Sequence, residues 1–245
     1  MRALPPDHHY CTNRTLWLVH FAVRVPGMSS YTQTPRTTLH RRPTRGTYDR
    51  ATVHAILDEA LVCQLGFVSD GQPFVLPTMF VRDEERVFVH GAAAGRFMRT
   101  LAEGIDACFS VTLLDGLVLA RSAFHHSMNY RSVVVLGRAS EVTGRDEKVR
   151  AMGLLVDKVS PGRSALARGP IDKEIRVTAI LSIALDEVSA KIRVGPPVDD
   201  EDDMTVPVWA GVVPVTLQAS SPVVDGHAYD APALPRGVRA PGSVR

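Results

Sequence analysis

Along the middle of the chain the hydrophobic positions change period several times. Between Tyr48 and Leu61 the apolar residues Ala51, Ile56, Leu57, Ala60 and Leu61 recur at helical spacing behind Asp49, an N-capping residue, which predicts a helix over residues 49–60. The period then shortens. Residues 62–69 read as a strand, Asp70-Gly71 as a hairpin turn, and residues 72–82 as the returning strand, with Pro73 and Pro77 suited to an edge or a bulge. Residues 87–90 form a third strand after the charged turn 83–86. A short helix over 93–103 follows, then a strand over 105–113, and Asp115-Gly116 reads as a second hairpin turn into 117–122. The polar insertion 125–129 leads into a long β-branched strand over 130–142. Residues 145–159 are helical and end at Pro161-Gly162, and residues 175–194 read as a strand pair or one long bent strand.

Short strands joined by hairpin turns, with few helices between them and no internal repeat, predict a mainly β (α+β) fold. The architecture expected is an antiparallel barrel or sandwich capped by helices. A doubly wound parallel sheet is disfavoured because helices do not alternate with strands. The ends are different in kind. Residues 1–46 mix Pro, Arg, His and Thr without periodicity and are expected to be a disordered extension; residues 216–245, rich in Pro, Gly, Ala and Ser, are expected to be a disordered tail, leaving a folded domain over 47–215. Met28 is a candidate start for the native chain.

Charge refines this division. Of the chain's net +2, residues 1–47 contribute +6 through seven arginines and the single acid Asp7, leaving −4 for the rest. The basicity therefore belongs to the N-terminal end and does not mark a nucleic-acid face. With 45% hydrophobic and 22% charged residues the composition is that of an ordinary globular domain. No apolar run reaches membrane-spanning length, and residues 16–25 are interrupted by Arg24 with no cleavage site following. Cys11, Cys63 and Cys108 show no CxxC spacing, which fits reduced thiols in the cytoplasm.

Two stretches carry candidate chemistry. In VFVHGAAAGRFMRTL a strand ends at His90, the chain from Gly91 to Gly95 is almost free of side chains, and a helix begins with Arg96 in its first turn. A helix start offers unpaired N–H groups, small residues permit close approach, and a cation sits beside them, so an anionic group such as a phosphate is the ligand expected. The second stretch, HHSMNYRS at residues 125–132, sets donors at the mouth of a strong strand. There Arg131 and Ser132 could hold a phosphate and Tyr130 could pack beside it. Glu187, Ser189, Lys191 and Arg193 form the polar face of an amphipathic strand, read as a solvent or subunit face. The acidic run 199–203 lacks calcium-loop spacing and is read as solvated. Neither a Gly-x-Ser-x-Gly elbow nor a GxGxxG fingerprint occurs.

The succession VHGAAAGRFMRTL, FHHSMNYRSVVVLGRA, LDEVSAKIRVGPPVDDEDD and VWAGVVPV resembles the pyridoxamine 5′-phosphate oxidase-like flavoproteins, nearest the nitroimidazole-resistance branch, over about residues 45–215. The resemblance implies a Greek-key-like FMN-binding split β-barrel that forms a homodimer, with FMN at the dimer interface and a small molecule as second substrate. It implies an oxidoreductase with no nucleic-acid or membrane partner. Carried onto this chain, Leu76, Pro77, Thr78 and Met79 would line the isoalloxazine ring. His90, Gly91, Gly95 and Arg96 would sit at the phosphate or ring edge. Asn129, Tyr130, Arg131 and Ser132 match the donor strand, and Trp209 would close the pocket or the dimer. His90 matches a position proposed as functional in the nitroimidazole-resistance branch, with haem as the alternative cofactor, in which case it would ligate iron. A non-catalytic flavin-binding module is the third reading, since His90 is the one obvious acid or base. The basic C-terminal substrate signature of pyridoxamine-phosphate oxidases is not found, so oxidation of vitamin B6 is not expected.

Overall fold

A computed structural model describes residues 30–221 and 223. Nine antiparallel strands form one continuous sheet: β1 (Gly46–Thr47), β2 (Val62–Ser69), β3 (Gln72–Asp83), β4 (Arg86–Ala92), β5 (Asp106–Leu119), β6 (Ser127–Glu141), β7 (Thr178–Ala184), β8 (Glu187–Arg193) and β9 (Gly211–Pro214). Their order is β1-β8-β6-β7-β4-β3-β2-β5-β9, and a further β5–β6 pairing closes the run from β6 to β5 into a six-stranded ring. The ring is split because its long strands change partners along their length. β6 pairs β8 over residues 130–136 and β7 over 139–141, while β5 pairs β2 over 107–110 and β9 over 116–119.

Alternation along the strands sends one set of side chains inward. Cys63, Leu65 and Phe67 of β2, Phe109 and Val111 of β5, and Val133 and Val135 of β6 meet in the barrel core, where Phe80 and Phe109 stand edge to face at 4.9 Å. Helix α1 (Arg50–Glu59) plugs one end with Val53, Ile56 and Leu57. The Asp49 carboxylate caps it by accepting from the Thr52 N–H at 2.9 Å. Helix α2 (Arg96–Ala102) adds Leu101. Helix α3 (Arg145–Val159) covers the outside, burying Ala151 and Leu155 against Val81, Phe88, Val142 and Ile180. Lys158 near its end donates to the Leu57 carbonyl at 3.0 Å, tying α3 to the unsatisfied C-terminus of α1. Two short helices, α4 (Arg163–Leu166) and α5 (Asp172–Val177), lead into β7.

Three expectations are corrected. Asp70-Gly71 does turn the β2–β3 hairpin, with φ of 53° and 74°. Asp115-Gly116 does not turn; β5 runs straight through it with a register shift, and the connection lies at the polar insertion instead. Gly116 serves β9, because a Cβ there would stand 2.9 Å from Val212 Cγ1 and 3.2 Å from the Val213 carbonyl. Residues 175–177 belong to α5, so the predicted strand pair begins at Thr178. The N-terminal boundary also lies earlier. Residues 30–46 pack on the barrel through Tyr31, which is 4% exposed, and the Tyr31 hydroxyl donates to Glu85 at 2.9 Å and bonds His54 at 2.8 Å. Thr34 reaches Glu187 at 2.8 Å and the Tyr48 hydroxyl donates to the Thr37 carbonyl. A segment without periodicity is held by these aromatic and threonine anchors. Cys11, Met28 and residues 16–25 lie outside the described residues, as does most of 216–245.

Candidate functional site

Five of the residues singled out from the sequence line one cavity of about 220 Å³: Leu76, Pro77, Thr78, His90 and Gly95. Leu65, Val89, Phe97, Met98 and Leu101 complete it. The slot follows from how β3 is shared. Residues 72–79 of β3 pair only with β2, and β4 joins β3 from Phe80 onward. One edge of the Leu76–Thr78 backbone is thus free of a strand partner, and Pro77, which has no N–H to offer a ladder, sits on that segment at little cost. α2 forms the opposite wall. It lies close to β4 because Gly91 has no side chain: a Cβ there would meet Met98 Cγ at 2.8 Å. Gly95 closes the turn into α2 by donating its N–H to the Ala92 carbonyl at 2.8 Å, and a Cβ on Gly95 would stand 2.9 Å from that oxygen.

The slot is largely apolar with one exception. His90 Nδ1 is buried and has no hydrogen-bond partner, a cost that a ligand atom in the slot would remove. Beside the mouth, Arg96 is exposed and its guanidinium lies over Phe97 at 4.8 Å and Phe74 at 5.4 Å. Among the described residues no carboxylate pairs with it.

The other expected residues do not line this slot. Met79, the alternate neighbour of Thr78 on β3, faces the other way and packs with the α3 cluster. Arg131 is committed elsewhere, its Nε and Nη2 donating to Asp115 at 3.0 and 2.7 Å and its other contacts going to Glu59 at 2.5 and 2.8 Å. Those hydrogen bonds, first from Glu59 and then from Asp115, hold its guanidinium more firmly protonated than usual. Arg131 is therefore a clamp between β6, the β5 bulge and the end of α1, and its charge is already neutralised. Ser132 donates to the Lys191 carbonyl at 3.2 Å, Tyr130 lies in register with Arg193, and Asn129 is buried, donating to the Gly195 carbonyl at 3.1 Å and accepting from Arg193. Trp209 is 65% exposed and leans on Gly211.

A second, larger cavity of about 510 Å³ was not foreseen. Arg41, Arg42 and Arg45 from the N-terminal segment face Lys191 and Arg193 of β8, and the remaining wall is Phe124, His125, His126, Ser127 and Val198. Reading the arginines as a tail and the β8 polar face as solvated concealed it; the usable signal was three arginines within five residues immediately before the first strand. Among the described residues none of these five cations has a carboxylate partner. Arg193 is 7% exposed with Nε buried and unpartnered, and burial, then repulsion from Arg45, lowers its pKa. The acidic run supports the wall. Asp199 accepts from the Arg121 N–H and guanidinium at 2.9 and 3.0 Å, and Asp200 reaches His125 Nε2 at 3.1 Å.

The sequence profile of pyridoxamine 5′-phosphate oxidases matches residues 49–192. The chain belongs to the pyridoxamine 5′-phosphate oxidase family. Its split antiparallel barrel is that family's fold. Among solved structures, the flavocytochrome Anf3 from Azotobacter vinelandii is similar at 40% identity and a TM-score of 0.77, over 83% of this chain and 94% of that one. The FAD- and haem-binding protein from Mycobacterium smegmatis is similar at 34% identity and a TM-score of 0.74, over 78% and 94%. A candidate 5-nitroimidazole resistance protein from Bacteroides thetaiotaomicron shares the fold at 19% identity and a TM-score of 0.52, over 60% and 86%. No curated protein matches the chain. No helix among the described residues is long and apolar enough to cross a membrane.

Proposed function

We propose that the protein is a flavin-dependent oxidoreductase that also carries haem. The observation that carries the flavin reading is the slot between β3 and α2, with its free strand edge, its apolar walls and the unpartnered His90 Nδ1. A planar tricyclic ring would be held there by the Leu76–Thr78 backbone edge and the unpartnered His90 Nδ1, with Phe97, Met98 and Leu65 excluding water. Arg96 at the mouth would hold the first phosphate, which FMN and FAD share. His90 is also the residue placed to hold or release a proton beside the ring. A flavin supplies hydride and one-electron transfer when bound, and a haem supplies one-electron transfer, so the protein's part is orientation and electrostatics.

The haem reading is favoured by two relatives above 30% identity, a flavocytochrome and a FAD- and haem-binding protein. Exposed Leu117, Met128 and Val213 are cross-strand neighbours on one face, which suits the homodimer expected of the family. Free Cys63 and Cys108 suit the cytoplasm. The test is the spectrum of the purified full chain after loading with FMN, FAD and hemin separately. A flavin band and a Soret band that both persist through desalting are expected, and acid release followed by chromatography identifies which flavin is retained. Loss of every chromophore on desalting would refute the reading.

A further inference from the structure

We infer that the basic cavity between the N-terminal segment and β8 is a binding site for a nucleoside diphosphate, with the phosphates on its arginines and the base against Phe124. The cavity shares no lining residue with the flavin slot, so the site is a separate one and stands without the flavin and haem readings.

Two segments build the cationic wall. Residues two apart on a strand share a face, which sets Lys191 and Arg193 of β8 side by side. β1 pairs Gly46 with Lys191, so the arginines just ahead of Gly46 arrive beside that face. A single 3-10 turn, Pro43–Arg45, shapes their approach, and the Arg45 N–H donates to the Arg42 carbonyl at 3.0 Å. Gly46 keeps the turn tight, because a Cβ there would stand 2.5 Å from Leu39 Cδ1 and 3.2 Å from the Pro43 carbonyl. Lys191 Nζ donates to the Arg41 carbonyl at 3.3 Å and fastens the segment to β8. The arginine backbone is thus held in place without a ligand.

The charges of this wall are unspent. Arg41, Arg42, Arg45, Lys191 and Arg193 line one cavity, and among the described residues none has a carboxylate partner. Arg193 is the decisive one. It is 7% exposed, its guanidinium donates only to oxygens of Asn129, Gly195 and Pro196, and its buried Nε has no partner. A buried cation met by neutral oxygens is incompletely compensated, and a multiply charged anion supplies what is missing. The neighbouring acids do not, since Asp199 is bound to Arg121 and Asp200 to His125.

Size and rim favour an organic diphosphate over a bare ion. A single phosphate leaves most of a 510 Å³ cavity empty, whereas that volume lies within the range of sites for whole small molecules. Two linked phosphates reach cations from both segments, and a guanidinium grips phosphate oxygens in pairs. Phe124 stands on the wall 89% exposed, a flat apolar surface for a base, and His125 meets its ring edge to face at 5.1 Å. His126 has Nδ1 bound to the Ser122 carbonyl at 2.9 Å, which leaves Nε2 for the ligand. A nucleotide needs one such apolar contact; the rest of its surface is polar or charged, as is the rest of this wall.

Isothermal titration calorimetry of the full-length chain with ADP, AMP and inorganic pyrophosphate tests this. ADP should bind, with AMP and pyrophosphate each weaker by about tenfold or more, since one lacks a phosphate and the other the base. Arg41→Gln with Arg45→Gln should raise the ADP dissociation constant at least about tenfold while leaving FMN affinity unchanged. Arg41 is exposed and Arg45 half-buried, so circular dichroism should show this variant folded. Phe124→Ala should weaken ADP by roughly five- to a hundredfold and leave pyrophosphate unaffected. Saturating the chain beforehand with FMN or with FAD should not change ADP affinity. No binding of ADP or pyrophosphate, or equal ADP affinity in the folded double-arginine variant, would refute the site. Pyrophosphate binding as tightly as ADP, with Phe124→Ala without effect, would refute the nucleotide in favour of a bare anion. ADP binding blocked by FAD but not by FMN would mean that the cavity holds the adenylate end of a flavin, and would refute a separate site.

Discussion

Replacing Arg131 by methionine separates a scaffold role from a cofactor role. In the sequence Arg131 looked like half of a phosphate site, whereas in the fold its guanidinium bridges Asp115 and Glu59. The arginine and Asp115 side chains are 29% and 30% exposed, and Glu59 is 54% exposed. The Asp115 contact is therefore taken near the low end of the range for a hydrogen bond between charged groups, about 1.5 kcal/mol. The Glu59 contact, screened by solvent, adds roughly 0.5 kcal/mol. Methionine keeps the stem and removes the bridge, so Arg131→Met should cost about 2 kcal/mol and lower Tm by roughly 4–8 °C for a domain of this size. Flavin affinity should stay within about twofold of wild type. Arg96→Ala should do the reverse: Tm nearly unchanged, and flavin affinity weaker by about ten- to a hundredfold through one lost charge-assisted bond of roughly 1.5–3 kcal/mol. Differential scanning calorimetry and fluorescence titration with FMN read the two quantities on the same samples. If Arg131→Met kept its Tm but failed to bind flavin, the clamp would be the wrong account and the phosphate would belong at Arg131.

Other expectations follow from particular contacts. Gly95→Ala places a Cβ 2.9 Å from the Ala92 carbonyl, which side-chain motion cannot relieve; a cost of about 1–3 kcal/mol and weakened flavin retention should appear together in thermal melts and titration. Burial, then the charge of Arg82, lowers the His54 pKa. The unfolded chain thus takes up a proton first, so His54 contributes stability that is full above its ordinary value and declines as pH falls through it. Urea midpoints should drop between about pH 7.5 and 5.5 in wild type and less steeply in His54→Gln, and equal slopes would contradict this. Phe109→Ala removes a fully buried ring that meets Phe80 edge to face, and denaturant unfolding should show a loss of about 3–5 kcal/mol. Leu117→Lys should shift the chain toward monomer in light scattering if the Leu117, Met128 and Val213 face joins two copies.

Where the sequence signal was local, it matched the structure closely. β2 and α3 have the predicted bounds, and the Asp49 cap and the Asp70-Gly71 turn are where a few adjacent residues require them. The same Asp-Gly signal misled at 115–116, because pairing of β5 with β6 on both sides of it outweighed the local turn preference. Half of the slot was legible for a similar reason: Leu76 to Thr78 and His90 to Gly95 are each short stretches whose chemistry depends on near neighbours. The role of Arg131 was not legible, since Glu59 lies 72 residues away in the chain.

By itself, then, the chain's pattern of periods and turns determined a mainly β barrel with capping helices, and its motifs pointed to the family. Only the tertiary structure decided which charges are spent and which are available. Arg131 is neutralised, Arg96 is not, and three arginines that read as part of a tail meet two cations from β8 across one cavity. The physical reason is that strand and turn formation depend on interactions within a few residues, whereas the partner of a charge is whichever group the fold brings within a few ångströms, at any distance along the chain.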